Sequence, residues 1–168
     1  MLSGRNSPRF PPECFSYLHN PSPAKFKSFR KGLEQSVLEG IVQPFSISNR
    51  TQATPLLAAV GPLQFEVLQY RLESEYGVES HLEAAPWRLV RWIDPVSQSA
   101  LSGSALSFPS GVRLGEDAFG QPVVLFSDEW ALEYFIKRNP EIKLCKLPLH
   151  DKNIIKSTAS KAPSSAFI

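Results

Sequence analysis

Residues that could carry nucleophilic, acid-base or metal chemistry are scattered along this sequence. The histidines are His19, His81 and His150, and the cysteines are Cys14 and Cys145. A zinc site needs ligands at close, paired spacing, and a hydrolytic triad needs a recognisable context around its serine, histidine and aspartate. Neither pattern occurs, so we expect no metal site, no catalytic residue and no small-molecule substrate. Isolated cysteines also favour a reducing, cytoplasmic location.

The usual nucleotide-binding motifs are also absent from the sequence. The sequence contains no GxxxxGK[ST] phosphate loop and no NKxD-type motif for reading guanine. A phosphate loop holds the phosphates through its backbone amides and lysine, and its hydroxyl residue binds magnesium. We therefore expect this chain to bind no cofactor and to have no GTPase activity of its own.

The clearest candidate binding feature is a cluster of basic residues, Lys25, Lys27, Arg30 and Lys31. These cations fall in the first half of a predicted helix, where the helix dipole disfavours positive charge. Ribosomal RNA would explain the arrangement, because phosphate contacts need exposed lysine and arginine without base readout. A solvated basic face explains it equally well, since small charge clusters are common on helices.

Composition predicts one globular domain with loose ends. The 168 residues are 42% apolar and 20% charged, with a net charge of +2. No apolar run is long enough to cross a membrane, and no signal peptide is recognisable. The prolines near the start predict an extended linker or strap over residues 1–22 that opens abruptly at Met1, as a split or cropped protein would. We expect the folded domain at 23–150 and a disordered, serine- and lysine-rich tail at 151–168.

Apolar periodicity and helix-end signals predict the secondary structure. Helices are expected over 23–39 after Ser22, from Gly61 to Gly77, and from Asp128 to Arg138. Strands are expected at 41–47, 56–60, 78–83, 88–93, 111–114, 122–126 and 142–147, with 78–83 and 88–93 paired as a hairpin. This order predicts an α+β fold of two layers, with helices packed on a mixed, largely antiparallel sheet. Trp87, Trp92 and Trp130 are interpreted as core or sheet-covering residues.

One segment resembles a known family. Residues 56–83 read LLAAVGPLQFEVLQYRLESEYGVESHLE, a buried strand, a glycine turn, an amphipathic helix and a further strand. This pattern is similar to the third domain of translational GTPases of the elongation factor G type. Gln64 stands where that family has histidine, and Phe65 and Glu66 follow it, which is the variant typical of release factor 3.

The flanking sequence extends the resemblance to residues 8–147 and to the cyanobacterial or plastid branch of the bacterial release factor 3 family. Supporting segments are PPECF at 11–15, IVQ at 41–43 and VRW at 90–92. The resemblance implies the carboxy-terminal domain of a translation-termination factor that binds the ribosome with GTP and promotes departure of the codon-reading release factors. GTP and magnesium would then bind a GTPase domain absent from this chain. Its partners would be ribosomal RNA and protein, and those GTPase domains in cis or in trans.

The same resemblance directs attention to the turn formed by Gly61, Gln64 and Glu66. Capping explains these residues by itself, because a carboxylate is favoured near a helix start. The resemblance instead implies that the turn faces the GTPase domains or the ribosome. Two further hypotheses remain open: a stand-alone ribosome- or RNA-binding protein derived from release factor 3, and a free-standing enzyme. The plastid stroma is the alternative location.

Overall fold

The computed structural model describes residues 11–47, 54–98 and 108–148. The described residues form two compact units, the first from 11–45 and 54–86, the second from 46–47, 87–98 and 108–148. The helices are α1 (Phe26–Leu38), α2 (Pro62–Tyr76) and α3 (Glu129–Arg138). The strands are β1 (Cys14–His19), β2 (Gln43–Ile47), β3 (Leu56–Ala59), β4 (His81–Ala84), β5 (Leu89–Ile93), β6 (Val112–Asp117), β7 (Pro122–Phe126) and β8 (Leu144–Cys145).

The first unit contains an antiparallel sheet in the order β4, β1, β3, β2. Strand β1 pairs with β3 on one side and with β4 on the other, and its Phe15, Tyr17 and Leu18 are buried. This strand lies within residues 1–22, which the sequence interpretation assigned to a linker. The prolines bracket a proline-free run of six residues, CFSYLH, whose apolar side chains are buried in the sheet. That part of the predicted boundary is therefore corrected.

Helices α1 and α2 pack together with this sheet. Their shared core contains Leu18, Phe29, Leu33, Val42, Leu57, Ala59, Phe65, Leu68, Leu72 and Val78. Gly32 permits the close approach of the helices, because a Cβ atom there would lie 2.6 Å from Leu72 Cδ2 and 2.8 Å from Tyr76 Cδ2. Phe26 precedes Phe29 by three residues, the spacing of an apolar stripe, but is 55% exposed. The apolar stripe of α1 therefore begins at Phe29.

The second unit contains a four-stranded antiparallel sheet in the order β6, β7, β5, β8, with α3 packed against β6 and β7. Its core contains Ile93, Val112, Val124, Phe126, Ala131, Phe135 and Ile142. The β6–β7 hairpin closes around Asp117, whose Oδ1 accepts hydrogen bonds from the backbone N–H groups of Phe119 and Gln121. Gly120 completes this turn at a φ of 79°, in the left-handed region that suits glycine.

The predicted α+β class is confirmed, since helices cover antiparallel sheet in both units. The predicted hairpin between 78–83 and 88–93 is wrong. Strand β4 pairs with β1, whereas β5 pairs with β7 and β8. The short separation of β4 and β5 along the chain suggested that they pair, but each of them pairs with strands of its own unit. The single domain at 23–150 stays a prediction, and its described residues cluster into two compact units.

Other differences concern exposure and strand length. Trp87 and Trp92 are buried as predicted, but Trp130 is 67% exposed on α3, so its assignment to the core is wrong. Only Leu144–Cys145 of the strand predicted at 142–147 pairs as a strand. The tail predicted at 151–168 lies outside the described residues. Within the described ranges, no helix is both long and apolar enough to span a membrane.

A candidate docking surface

The basic cluster lies where the chain enters α1. A 3-10 turn (Pro23–Lys25) leads into the helix, and no acidic residue occupies the first turn of α1. Lys27, Arg30 and Lys31 are exposed and share one face, since residues three and four apart are neighbours on a helix surface. These three residues form a compact basic surface, called here the α1 basic face.

Lys25 has a structural role apart from that face. Its Nζ donates a hydrogen bond to the backbone carbonyl oxygen of Gly77, at 2.7 Å. Gly77 ends α2 in the left-handed conformation, with a φ of 65°. A cation is favoured at this position, because the last carbonyl groups of a helix carry partial negative charge. Lys25 therefore ties the start of α1 to the end of α2.

Arg30 is partly neutralised by its own helix. Its Nε donates to Glu34 Oε1 at 3.0 Å, one helical turn further along. Among the residues that the structure describes, no ion pair involves Lys27 or Lys31. The two lysines are thus the members of the α1 basic face with the least internal neutralisation.

The other end of α1 is held by Arg71 of α2. The guanidinium of Arg71 donates to both carboxylate oxygens of Glu39 and also pairs with Glu75. Hydrogen bonds from Arg71, and then from Gln35, hold the pKa of Glu39 below its ordinary value of 4.5. The same contacts raise the pKa of Arg71, first through Glu39 and then through Glu75. This pair and the Lys25–Gly77 bond therefore connect both ends of α1 to α2.

The Glu39–Arg71 contact predicts an acid-sensitive contribution to stability. Because the folded pKa of Glu39 is lowered, the contribution is present above about pH 4.5 and is lost as the pH falls through the folded pKa. Urea unfolding of the parent and of Glu39→Gln should therefore differ near neutral pH, and the difference should shrink as the pH falls through the folded pKa of Glu39. In an Arg71→Gln background the difference should lose most of its pH dependence. A difference that persists unchanged in acid would contradict this assignment.

The second predicted site, the turn of Gly61, Gln64 and Glu66, begins α2. The backbone N–H of Gly61 donates to Gln64 Oε1 at 3.1 Å, which is one half of a capping box. Gln64 therefore stabilises the helix start directly. Glu66 is exposed in the first two turns, where the helix dipole favours a carboxylate.

The structure does not bring the two predicted sites together. Lys25 lies at the carboxy-terminal end of α2, and the Gly61 turn lies at its amino-terminal end. A helix of 15 residues is about 22 Å long at 1.5 Å per residue. Any partner that contacts both sites must therefore span most of the length of α2.

Sequence reasoning missed an exposed apolar surface on α2 beside the turn. Val60, directly after β3, is exposed, and so are Leu63 (64%), Val67 and Tyr70 of α2. Their spacing of three and four residues places them in one stripe, called here the α2 apolar stripe. The same spacing is visible in the sequence, where it accompanies the apolar stripe of Phe65, Leu68 and Leu72 that is buried on the opposite side of α2.

A family model described as "Class II release factor RF3, C-terminal domain" matches residues 5–136. The chain belongs to this family. The match includes α1, α2 and most of α3, and it confirms the resemblance to release factor 3 drawn from the segment at 56–83.

Several cyanobacterial relatives named peptide chain release factor 3 support the assignment. The relative from Acaryochloris marina is 42% identical over 156 residues, covering 92% of this chain and 28% of the relative. The relative from Synechococcus elongatus is 44% identical over 137 residues, covering 82% and 24%. The relative from Trichodesmium erythraeum is 41% identical over 137 residues, covering 82% and 25%. The chain thus spans about a quarter of the length of the curated release factor 3 relatives it matches.

Proposed function

We propose that this chain acts in translation termination as the ribosome-docking, carboxy-terminal module of a release factor 3. The observation that carries the proposal is the family match over residues 5–136. In that role the module helps a GTPase in other domains to promote departure of the codon-reading release factors from the ribosome. A factor that acts on bacterial ribosomes would be located in the cytoplasm.

The module is proposed to be noncatalytic. The sequence lacks both the phosphate loop and the guanine-reading motif, so nothing recognisable would hold GTP or magnesium. Titration of the isolated chain with a fluorescent GTP analogue should show no saturable binding in the micromolar range. Saturable binding that unlabelled GTP displaces would contradict the proposal.

We further propose that the α1 basic face contacts ribosomal RNA. Lys27 and Lys31 are exposed, lie one turn apart and have no ion-pair partner among the described residues. The purified chain should co-sediment with ribosomes at low salt and dissociate as salt rises, because phosphate contacts release bound counterions. Replacing both lysines by glutamine should lower the slope of log K against log salt by about two units, about one for each phosphate group that a lysine no longer neutralises.

Matched variants distinguish this contact from a general effect of charge. Lys137→Gln/Lys143→Gln removes the same charge from exposed lysines of the second unit and should leave the slope unchanged. Lys25→Gln should act mainly on stability, since Lys25 donates to Gly77. If the Lys27/Lys31 and the Lys137/Lys143 variants behave alike, the α1 basic face is only a solvated surface.

The Gly61 turn and the α2 apolar stripe are proposed to face the GTPase domains of release factor 3. Exposed apolar side chains at regular helical spacing are typical of a surface that another protein covers. The chain matches only about a quarter of each relative, so those proteins contain further sequence that could supply the partner. On this proposal α2 contributes an apolar contact surface, and α1 a basic one.

A further inference from the structure

Helix α3 carries a row of side chains, exposed at both ends and half-buried in the middle, that neither the fold nor the proposed ribosome contact explains. Trp130, Tyr134 and Arg138 follow one another at intervals of four residues and are called here the α3 ridge. The rings of Trp130 and Tyr134 are stacked, with centroids 5.4 Å apart and planes 17° apart. The Arg138 guanidinium lies over the Tyr134 ring, 5.5 Å from its centroid.

The ridge is ordered by its own contacts while Trp130 stays largely open. Tyr134 contacts both of its neighbours, so the row is held in place before any partner arrives. The indole of Trp130 is 67% exposed. Tryptophan, tyrosine and arginine are the residues most often found at the energetic centres of protein interfaces. Pre-organised aromatic side chains also lose little conformational freedom on binding.

Three carboxylates lie close to Trp130 at the start of α3. Glu129 precedes Trp130, and Glu133 is its neighbour three residues along the helix; both are exposed. Asp128 caps the helix by accepting a hydrogen bond from the Ala131 N–H. Burial lowers the pKa of Arg91, and the nearby carboxylate of Glu129 acts against that shift. Glu133 is therefore the carboxylate best placed to meet a partner beside Trp130.

An open indole beside a carboxylate is a receptor for a cation. The indole face attracts a guanidinium through its quadrupole, and the carboxylate pairs with the same charge. Arginine suits this site better than lysine, because its planar head stacks on aromatic rings. Nucleic acid suits it poorly, since carboxylates repel the phosphates that accompany any stacked base.

We propose that the α3 ridge binds a basic protein segment, with an arginine of that segment stacked on Trp130 and paired with Glu133. The net charge of the whole chain is +2, so attraction of a basic segment must come from this local acidic end and not from the overall field. The site belongs to the second unit and does not depend on the RNA contact proposed for α1.

The test uses the full chain and a fluorescein-labelled peptide of six Arg-Gly repeats, followed by fluorescence anisotropy at low salt. Trp130→Ala should weaken binding by about fivefold or more, as expected when a cation–π interaction is removed, and Trp130→Phe should retain part of it. Glu133→Gln should weaken binding about two- to fivefold while leaving the aromatic rings intact. Phe26→Ala, an exposed aromatic change in the first unit, should have no effect.

Competition against the labelled Arg-Gly peptide distinguishes a protein partner from a nucleic acid. A Lys-Gly peptide should bind more weakly than the Arg-Gly peptide, and a twelve-residue oligouridylate should not displace it. The proposal is overturned if the Arg-Gly peptide fails to bind, if Trp130→Ala and Glu133→Gln both bind as tightly as the parent, or if the oligouridylate competes through Trp130. Unchanged urea midpoints for the variants would show that weaker binding does not reflect unfolding.

Discussion

Replacing Phe135 by alanine is expected to lower the free energy of unfolding by about 3–5 kcal/mol. Phe135 is fully buried in the core of the second unit. Its ring and that of Phe126 pack edge to face, with centroids 5.6 Å apart, and the centroid of the Phe108 ring lies 5.9 Å away. Truncation removes this packing and leaves a cavity that the sheet and helix can fill only in part. Urea denaturation followed by circular dichroism measures the change.

The neighbouring residue provides the matched control. Ile136 follows Phe135 on α3 but is 46% exposed, so Ile136→Ala should change the free energy of unfolding by only about 0.5 kcal/mol. Equal effects of the two substitutions would show that α3 does not pack on the sheet through Phe135.

The Leu72→Ala substitution should cost about 2–5 kcal/mol. Leu72 is fully buried on α2 and contributes to the core of the first unit. Its Cδ2 also lies next to Gly32, where α1 and α2 approach closely. The cavity therefore opens between α1, which carries the α1 basic face, and α2. Ribosome binding should weaken because the fold that supports this face is destabilised. Urea denaturation and ribosome co-sedimentation measure the two effects.

Leu63→Ala is the control for this substitution, because it removes the same atoms from the same helix at an exposed position. It should leave the unfolding midpoint nearly unchanged. If Leu63→Ala destabilises the chain as much as Leu72→Ala, the inner and outer faces of α2 are wrongly assigned.

Local signals predicted the helices well. Gly61 and Pro62 begin α2 and Gly77 ends it, while Asp128 caps α3 through the Ala131 N–H. These signals act over one turn of backbone, so they are readable without knowledge of distant residues. The family was also readable, because the segment around Gln64 combines a strand, a turn and a helix start in a characteristic order.

Strand pairing, unlike the helix ends, could not be predicted from local signals in the sequence. Strands β4 and β5 are close in sequence, yet β4 pairs with β1 and β5 pairs with β7 and β8. Alternating apolar residues indicate that a strand exists but not which partner completes its hydrogen bonds. Strand β1 was assigned to a linker because prolines lie on both sides of it, although none lies within it.

The order of amino acids was enough to predict the family, the α+β class, helices α1, α2 and α3, and a basic cluster at the start of α1. The role of each charged or aromatic side chain emerged only from the folded chain. There Lys25 binds the end of α2, Arg30 pairs with Glu34, and Lys27 and Lys31 stay exposed on one face. Trp130 lies on the surface, although the helix pattern favoured the core. The two kinds of property differ because caps and periodicity depend on neighbours along the chain, whereas exposure and ion pairing depend on residues brought together from distant positions.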